Sequence, residues 1–340
     1  MGEYFFDLSK RDRADALEVA AGRVGRSAEL LEKDIWVVWT LDALFRTPLG
    51  DALTFKGGTS LSKAYRVIDR FSEDVDLTYD IRALLPEFAE VDGDPIPPSA
   101  SQANRITKEV RGRLPAWVGS EPREALEQAV VDDGLAGVEV RVEGTNLVAA
   151  YPSAVPPASD YVRAEVLVEF GARSSGRPAA VREVTCDAAP HLKAVSFPTA
   201  WPSVMAVERT FWEKATAAHV YCLQKRLRSE RFARHWYDLA ELEKAGVAEK
   251  SLRNRDIGLQ VARHKTRFFR EKSAEGTVIS YRKAVDGNLL LVPEDDAGTR
   301  LAEDYDRMLT SGLLPIEAPS FHSVMDTCRA IQERANRRLG

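Results

Sequence analysis

Phe55-Lys56-Gly57-Gly58-Thr59-Ser60-Leu61-Ser62-Lys63, followed by Ser72-Glu73-Asp74-Val75-Asp76, is the stretch whose reading decides the fold. The apolar run Ala52-Leu53-Thr54-Phe55 reads as a strand, and the glycine pair breaks it. Thr59 or Ser60 then caps a helix whose buried stripe is Leu61, Ala64, Tyr65 and Ile68. A second strand is expected over residues 73–79, with Val75 and Leu77 alternating against Asp74 and Asp76. Two residues apart on a strand, the two carboxylates face the same way. Such like charges repel unless a cation sits between them. Carboxylates suit Mg²⁺, which binds through a few of them plus substrate phosphates. Two such ions can clamp the attacking and leaving oxygens of an in-line phosphoryl displacement. Gly57 and Gly58 let the backbone approach closely, and the following helix N-terminus offers N–H groups to a triphosphate. A lone Gly-Gly is usually a turn, and a lone Asp-x-Asp is usually a solvated strand face. Strand, Gly-Gly, helix and then Asp-x-Asp on the next strand is more specific, because it places a phosphate cradle beside a metal site.

Working outward, helices are expected over residues 14–45, where Ile35, Val38, Trp39 and Asp42 follow a 3.6 period. Residues 92–101 (DGDPIPPSAS) read as a loop or insertion boundary, followed by helices near 103–114 and 123–132. Strands are expected at 138–142, 147–151 and 162–170, and YPSAVPPAS at 151–159 suits a hairpin loop. After Val207 the pattern turns helical, near 208–226, 230–245, 255–270, 299–309 and 321–337. The expected fold is therefore α/β, with a mainly helical region after about residue 205. The expected domains are 1–204, with N-terminal helices and an insertion near 85–135, and 205–340.

Two further groups carry chemistry. Val207, Thr210, Phe211, Lys214, Ala217, Ala218 and Tyr221 share one helix face. A lysine there either snorkels to solvent or lines a triphosphate pocket, since lysine is rarely buried unpaired. On the next helix Arg231, Arg234, His235 and Asp238 lie together, and Asp238 can pair with Arg234 at i,i+4. His235 reads as a polar boundary residue rather than a catalytic base. Within the expected strand at 162–170, Glu165 and Glu169 point to one face and Val166, Val168 and Phe170 to the other.

Composition bounds the class. The 340 residues are 44% hydrophobic and 29% charged, as in soluble globular proteins. No apolar run approaches the roughly 18 residues of a membrane span, and the charged start carries no secretory signal. Three scattered cysteines, Cys186, Cys222 and Cys328, form neither a disulfide framework nor a zinc spacing, so a reducing, cytoplasmic setting is expected. The net charge of -5 argues against non-specific nucleic-acid binding, but residues 205–272 hold 16 Lys/Arg against 9 Asp/Glu, or +7. That segment is a candidate phosphate-binding surface or a solvated helical face.

The strings 55–63 and Arg70-Phe71-Ser72-Glu73-Asp74-Val75-Asp76-Leu77 resemble the first motif of the AbiEii/AbiGii nucleotidyltransferase toxins, a group that includes the MenT-like toxins. The likeness continues through Phe211-Trp212-Glu213-Lys214 and Arg234-His235-Trp236-Tyr237-Asp238-Leu239. The resemblance implies a polymerase-beta-like nucleotidyltransferase core using Mg²⁺ or Mn²⁺ and a nucleoside triphosphate. It implies metal on Asp74 and Asp76, the triphosphate on Lys214, and Asp238 completing the later motif. These four are the expected catalytic residues. Glu169 is the expected third metal ligand, because the resembling proteins often carry an acidic residue there. Gly57, Gly58, Thr59, Ser60, Lys63 and Lys214 are the expected nucleotide-binding set.

The resemblance further implies a toxin with a cognate antitoxin protein. For the MenT branch it implies an RNA acceptor, the 3′ end of tRNA, with translation blocked. Lys225, Arg226, Arg228, Arg231, Arg234, Arg263, Lys265, Arg267 and Arg270 would then meet RNA phosphates. Ser72 is an expected point of control. On a continuous strand it would face the metal side, where phosphorylation adds about -1.5 to -2 charges. Two alternatives stand beside this reading. One is a small-molecule nucleotidyltransferase, which needs no basic groove. The other is a non-catalytic nucleotide- or partner-binding module, against which the intact Asp74 and Asp76 count.

Overall fold

Val166, Val168 and Phe170 are buried, and they alternate with Glu165, Leu167 and Glu169, which are not. That period of two makes a strand with one covered face, and it lies inside the main sheet of the protein. The computed structural model describes residues 2–337 except 73, 157–162, 227–229 and 316. Its strands are β1 (Glu3–Tyr4), β2 (Leu53–Lys56), β3 (Val75–Tyr79), β4 (Glu139–Glu143), β5 (Asn146–Ala150), β6 (Glu165–Gly171), β7 (Ala179–Val181), β8 (Val184–Thr185), β9 (Val195–Ser196), β10 (Thr199–Ala200) and β11 (Ser203–Met205). Its helices are α1 (Lys10–Val24), α2 (Ala28–Phe45), α3 (Gly57–Lys63), α4 (Ile81–Leu84), α5 (Ala100–Val118), α6 (Glu121–Asp132), α7 (Val207–Gln224), α8 (Arg234–Lys244), α9 (Val247–Arg253), α10 (Asp256–Phe268), α11 (Tyr281–Val285), α12 (Asp295–Thr310) and α13 (Phe321–Asn336). The fold is α/β, with helices throughout the region after β11.

Seven strands form one mixed sheet in the order β4-β5-β6-β3-β2-β11-β7. β2 and β3 are antiparallel, with Phe55 opposite Leu77 and Lys56 opposite Asp76. β3 and β6 are parallel, with Val75 opposite Val168 and Asp76 opposite Glu169. A parallel pair needs a long crossover. Here the chain between β3 and β6 carries α4, α5, α6 and the β4–β5 hairpin.

The chain packs into two compact units. The first holds residues 1–64, 73–95 and 108–204, and with them the sheet as far as Val204. Its core is built on α2, whose Ile35, Trp36, Val38, Trp39 and Leu41 are buried. The Trp36 ring stacks on Tyr151 at 4.8 Å, and Trp39 Nε1 donates to Asp133 at 2.7 Å, so the large indole surfaces are covered while one polar edge is satisfied. The second unit holds residues 65–72, 96–107 and 205–340. Its core includes Phe211, Trp212, Tyr221, Trp236 and Tyr305, with Trp236 Nε1 donating to Leu291 O at 2.5 Å. Gly258 on α10 meets Trp212 so closely that a Cβ there would stand 2.6 Å from the indole.

The helix after the glycine pair differs from the sequence expectation. It starts at Gly57 with Lys56 as its N-cap, no side chain caps it, and it ends at Lys63. Tyr65 and Ile68 therefore lie beyond it. Arg66 turns the backbone left-handed at φ 54, Tyr65 donates to Met205 O at 2.8 Å, and Ile68 is buried. These apolar groups serve the second unit, so their spacing imitated a longer helical stripe. The short helices α9 and α11 carry too few turns for a period to show. Among the strands, β3 begins at Val75, with Glu73 outside the described residues.

Candidate functional site

Gly57 takes φ +80, and a Cβ built on it would stand 2.1 Å from Asp76 Oδ2. Only glycine permits both the left-handed turn and that approach. The preceding Lys56 lies opposite Asp76 in the ladder, and its Nζ is 3.8 Å from Asp76 Oδ1. The Asp76 side chain is 30% exposed, so a ligand can reach it from solvent. Thr59 and Ser60 are buried. Thr59 Oγ1 donates to the main-chain O of Asp74 at 2.5 Å, and Ser60 Oγ donates to Gly57 O at 2.9 Å. Gly58 is buried within α3.

The parallel register sets Asp76 beside Glu169, and residues paired across a sheet project from the same face. Glu165 shares that face of β6, but Arg141 lies 3.0 Å from one of its oxygens and Arg163 lies 3.7 Å from the other. Asp74 sits just before the first residue of β3. Among the described residues, no three His, Cys, Asp or Glu side chains are grouped to hold a metal ion by themselves. Mg²⁺ commonly takes one or two carboxylates with waters and substrate phosphates. The missing Cβ of Gly57 leaves the room that the Asp76 carboxylate occupies, and that part-exposed carboxylate, with Glu169 in register, fits such an ion.

Lys63 is buried in the first unit. Its ammonium pairs with Asp34 of α2 and lies 2.6 Å from Asp187 Oδ1. Asp187 also takes Arg26 at 2.5 Å and donates its N–H to Asp34 Oδ2 at 2.7 Å. Burial works against the Lys63 charge, but the two carboxylates more than offset it and raise its pKa. Burial pushes the Asp34 carboxyl up, and Lys63 opposes that only in part.

Lys214 and Asp238 belong to the second unit, where they meet. Asp238 is 0% exposed. Arg70 grips it with Nε on Oδ1 at 2.6 Å and Nη2 on Oδ2 at 2.9 Å, and Lys214 Nζ lies 2.7 Å from Oδ2. Burial alone would raise the Asp238 pKa, but the charges of Arg70 and Lys214 hold it well below the usual carboxylate range. Lys214 is pushed down by burial, since the carboxylate that supports its charge is shared with the repelling Arg70. His235 is held well below its ordinary value by burial and by the charges of Lys214 and Arg234.

Ser72 lies in the second unit, outside β3. Neither Ser72 nor Asp74 lies on a strand, so strand geometry does not align the Ser72 hydroxyl with the two aspartates. Of the basic residues singled out, Arg228 lies outside the described residues. Lys265 is turned inward, with Nζ donating to Glu213 O and Thr216 Oγ1, both at 2.8 Å, so it ties α10 to α7. Lys225 lies 3.4 Å from Asp295. Arg226, Arg263 and Arg270 are exposed, and Arg263 and Arg267 stand one turn apart on α10. A pocket of 470 Å³ lined by Gln224, Arg226, Glu271, Lys272, Ser273 and Ala274 includes Arg226 of the basic residues and none of the expected catalytic or nucleotide-binding residues.

No local pattern marks a role for Lys56, Arg70, Asp34 or Asp187. The first two stand inside the motif strings, but their partners lie on other elements, where no spacing along the chain reveals them.

Residues 39–327 match the family described as nucleotidyl transferase AbiEii toxin, type IV toxin–antitoxin system, a span that includes both the Gly57–Asp76 and the Lys214–Asp238 motifs. No match is found among curated proteins. Among solved structures the chain is similar to MenT4, nucleotidyltransferase toxin Rv2826c from Mycobacterium tuberculosis H37Rv, at 17% identity and a TM-score of 0.38, over 93% of this chain and 99% of that one. Among the described residues, no helix is long and apolar enough to cross a membrane.

Proposed function

The chain belongs to the AbiEii nucleotidyltransferase toxin family of type IV toxin–antitoxin systems, and from that premise we propose that it transfers a nucleoside monophosphate from a nucleoside triphosphate to the 3′ end of tRNA. The observation that carries the transfer chemistry is the pairing of Asp76 with Glu169 beside the bare Cα of Gly57. Asp74, Asp76 and Glu169 would hold Mg²⁺ or Mn²⁺. When bound, such an ion neutralises charge on the reacting phosphates. In the transfer, the acceptor hydroxyl oxygen forms a bond to the α-phosphorus. The bridging bond to the β-phosphate breaks, pyrophosphate leaves with the electron pair, and the hydroxyl proton passes to solvent. The protein contributes positioning and charge complementarity rather than covalent chemistry.

Lys214 is our proposed contact to the triphosphate. Arg70 and Lys214 share the single carboxylate of Asp238 and leave an excess positive charge, which favours an incoming anion. The RNA acceptor is supported by the +7 balance of residues 205–272 and by the outward Arg263 on α10. Membership of the family implies an antitoxin partner. In this reading the toxic outcome is tRNA that is no longer aminoacylated.

The test is incubation of the protein with Mg²⁺, each α-labelled triphosphate in turn, and total cellular RNA. Label is expected in tRNA, and it is expected to disappear with Asp74→Ala. Label confined to small molecules or protein overturns the RNA acceptor. No label with any triphosphate, or undiminished label with Asp74→Ala, overturns the catalytic assignment.

A further inference from the structure

Thr59 is 1% exposed, and a buried hydroxyl needs an acceptor. Within helices, serine and threonine commonly donate to a carbonyl three or four residues back. Ser60, Ser62 and Thr216 do so here, to Gly57, Thr59 and Trp212. Thr59 instead reaches out of its own helix to the main-chain oxygen of Asp74 at 2.5 Å. Asp74 precedes Val75, the first residue of β3, so this hydrogen bond fixes a peptide at the point where the β3–β6 ladder begins. One turn further along α3, Lys63 occupies the same helix side. It is clamped between Asp34 and Asp187, so the helix that presents Thr59 is itself anchored within the first unit.

We infer that Thr59 is a positioning residue: its hydroxyl holds the Asp74 peptide and thereby aims that carboxylate at the metal, with Lys63 holding α3 in place. The role differs from nucleotide contact, which the motif by itself suggested for both residues. It rests on the reading of Asp74 as a metal ligand. Partners behind a ligand commonly tune metal affinity by about 10- to 100-fold.

The probe is Mn²⁺, titrated into the full chain with and without a non-hydrolysable triphosphate and followed by the electron paramagnetic resonance of the free ion. Thr59→Val keeps the branched shape and removes the donor, and Thr59→Ser keeps the donor. Thr59→Val is expected to weaken Mn²⁺ binding roughly tenfold or more, and Thr59→Ser to stay near wild type. Should Thr59→Val not fold, Thr59→Ala removes the hydroxyl without placing a methyl group against the Asp74 carbonyl. Wild-type affinity in the valine or alanine variant, with Asp74→Asn still losing the ion, overturns the inference and leaves the metal site standing. So does equal weakening by valine and serine, because serine keeps the donor. Mn²⁺ binding by Asp74→Asn as tight as wild type, or none by wild type, overturns both.

Discussion

Arg70 and Asp238, 168 residues apart in the chain, are joined inside the second unit by two parallel hydrogen bonds of 2.6 and 2.9 Å. With Lys214 on the same carboxylate, removing one partner strands buried charge. Asp238→Asn and Arg70→Met are each expected to lower stability by roughly 3–5 kcal/mol, measured by urea unfolding at pH 7. The folded-state pKa of Asp238 is depressed. Its contribution is therefore complete above the unfolded value of about 3.9 and is lost as pH falls through the folded value. The gap between wild type and Asp238→Asn should narrow below about pH 4 and stay constant above pH 5. A gap that widens toward acid would contradict the pairing.

His219 accepts a hydrogen bond from the Leu290 N–H at Nδ1, and burial pushes its pKa down to about 4. The unfolded chain, with histidine near 6.5, then binds more protons between about pH 6.5 and 4. Stability must therefore drop as the pH is lowered through that window, by at most about 1.4 kcal/mol per unit from this group. His219→Asn keeps an acceptor without a titrating group and should flatten the slope. His235, also held low by burial, leaves part of it in place. An unchanged slope would show that His219 does not titrate as assigned.

Gly57→Ala brings a Cβ to 2.1 Å from Asp76 Oδ2 and forces alanine into φ +80. The left-handed backbone alone costs about 1 kcal/mol. Displacement of the carboxylate should lower transfer by roughly 100-fold, since shifts of about 1 Å have that effect at reacting centres. Gly58, with no left-handed angle, should tolerate alanine better. Parallel thermal melts and labelled transfer decide it, and near wild-type transfer by Gly57→Ala would remove Asp76 from the site.

Arg263→Glu and Arg267→Glu test the acceptor surface on α10. Each is expected to weaken RNA binding and to shrink the dependence of log affinity on log salt by about 0.7–0.9 per lost phosphate contact. Triphosphate affinity should not move. Lys265→Gln is the contrasting variant. Its ammonium bonds to Glu213 O and Thr216 Oγ1, so stability should drop while the salt slope stays. Equal salt slopes in all the variants would remove α10 from RNA contact.

Much of the candidate site was legible because its signals are local. The alternation at Val166, Val168 and Phe170 and the break at Gly57-Gly58 lie within a few residues, where backbone period and sterics act directly, whereas Asp74, expected on the same strand as Asp76, lies just before it. The later motif was legible as a helix face carrying Lys214 and a following helix carrying Asp238, but their pairing was not. The alternative in which Asp238 pairs with Arg234 used the nearest cation along the helix. The folded protein supplies Arg70 and Lys214 from elsewhere.

From the sequence alone, then, come the α/β class, the helical region after about residue 205, the Gly-Gly and Asp-x-Asp motif and the resemblance to the toxin family. Each depends on local periodicity or on residues adjacent in the chain. Only the tertiary structure decided that α3 stops at Lys63, that Glu169 lies in register with Asp76, and that Lys63 and Lys214 are held by carboxylates. Buried charge must be paired wherever the fold brings a partner, and the distance along the chain to that partner carries no energy that a local pattern could record.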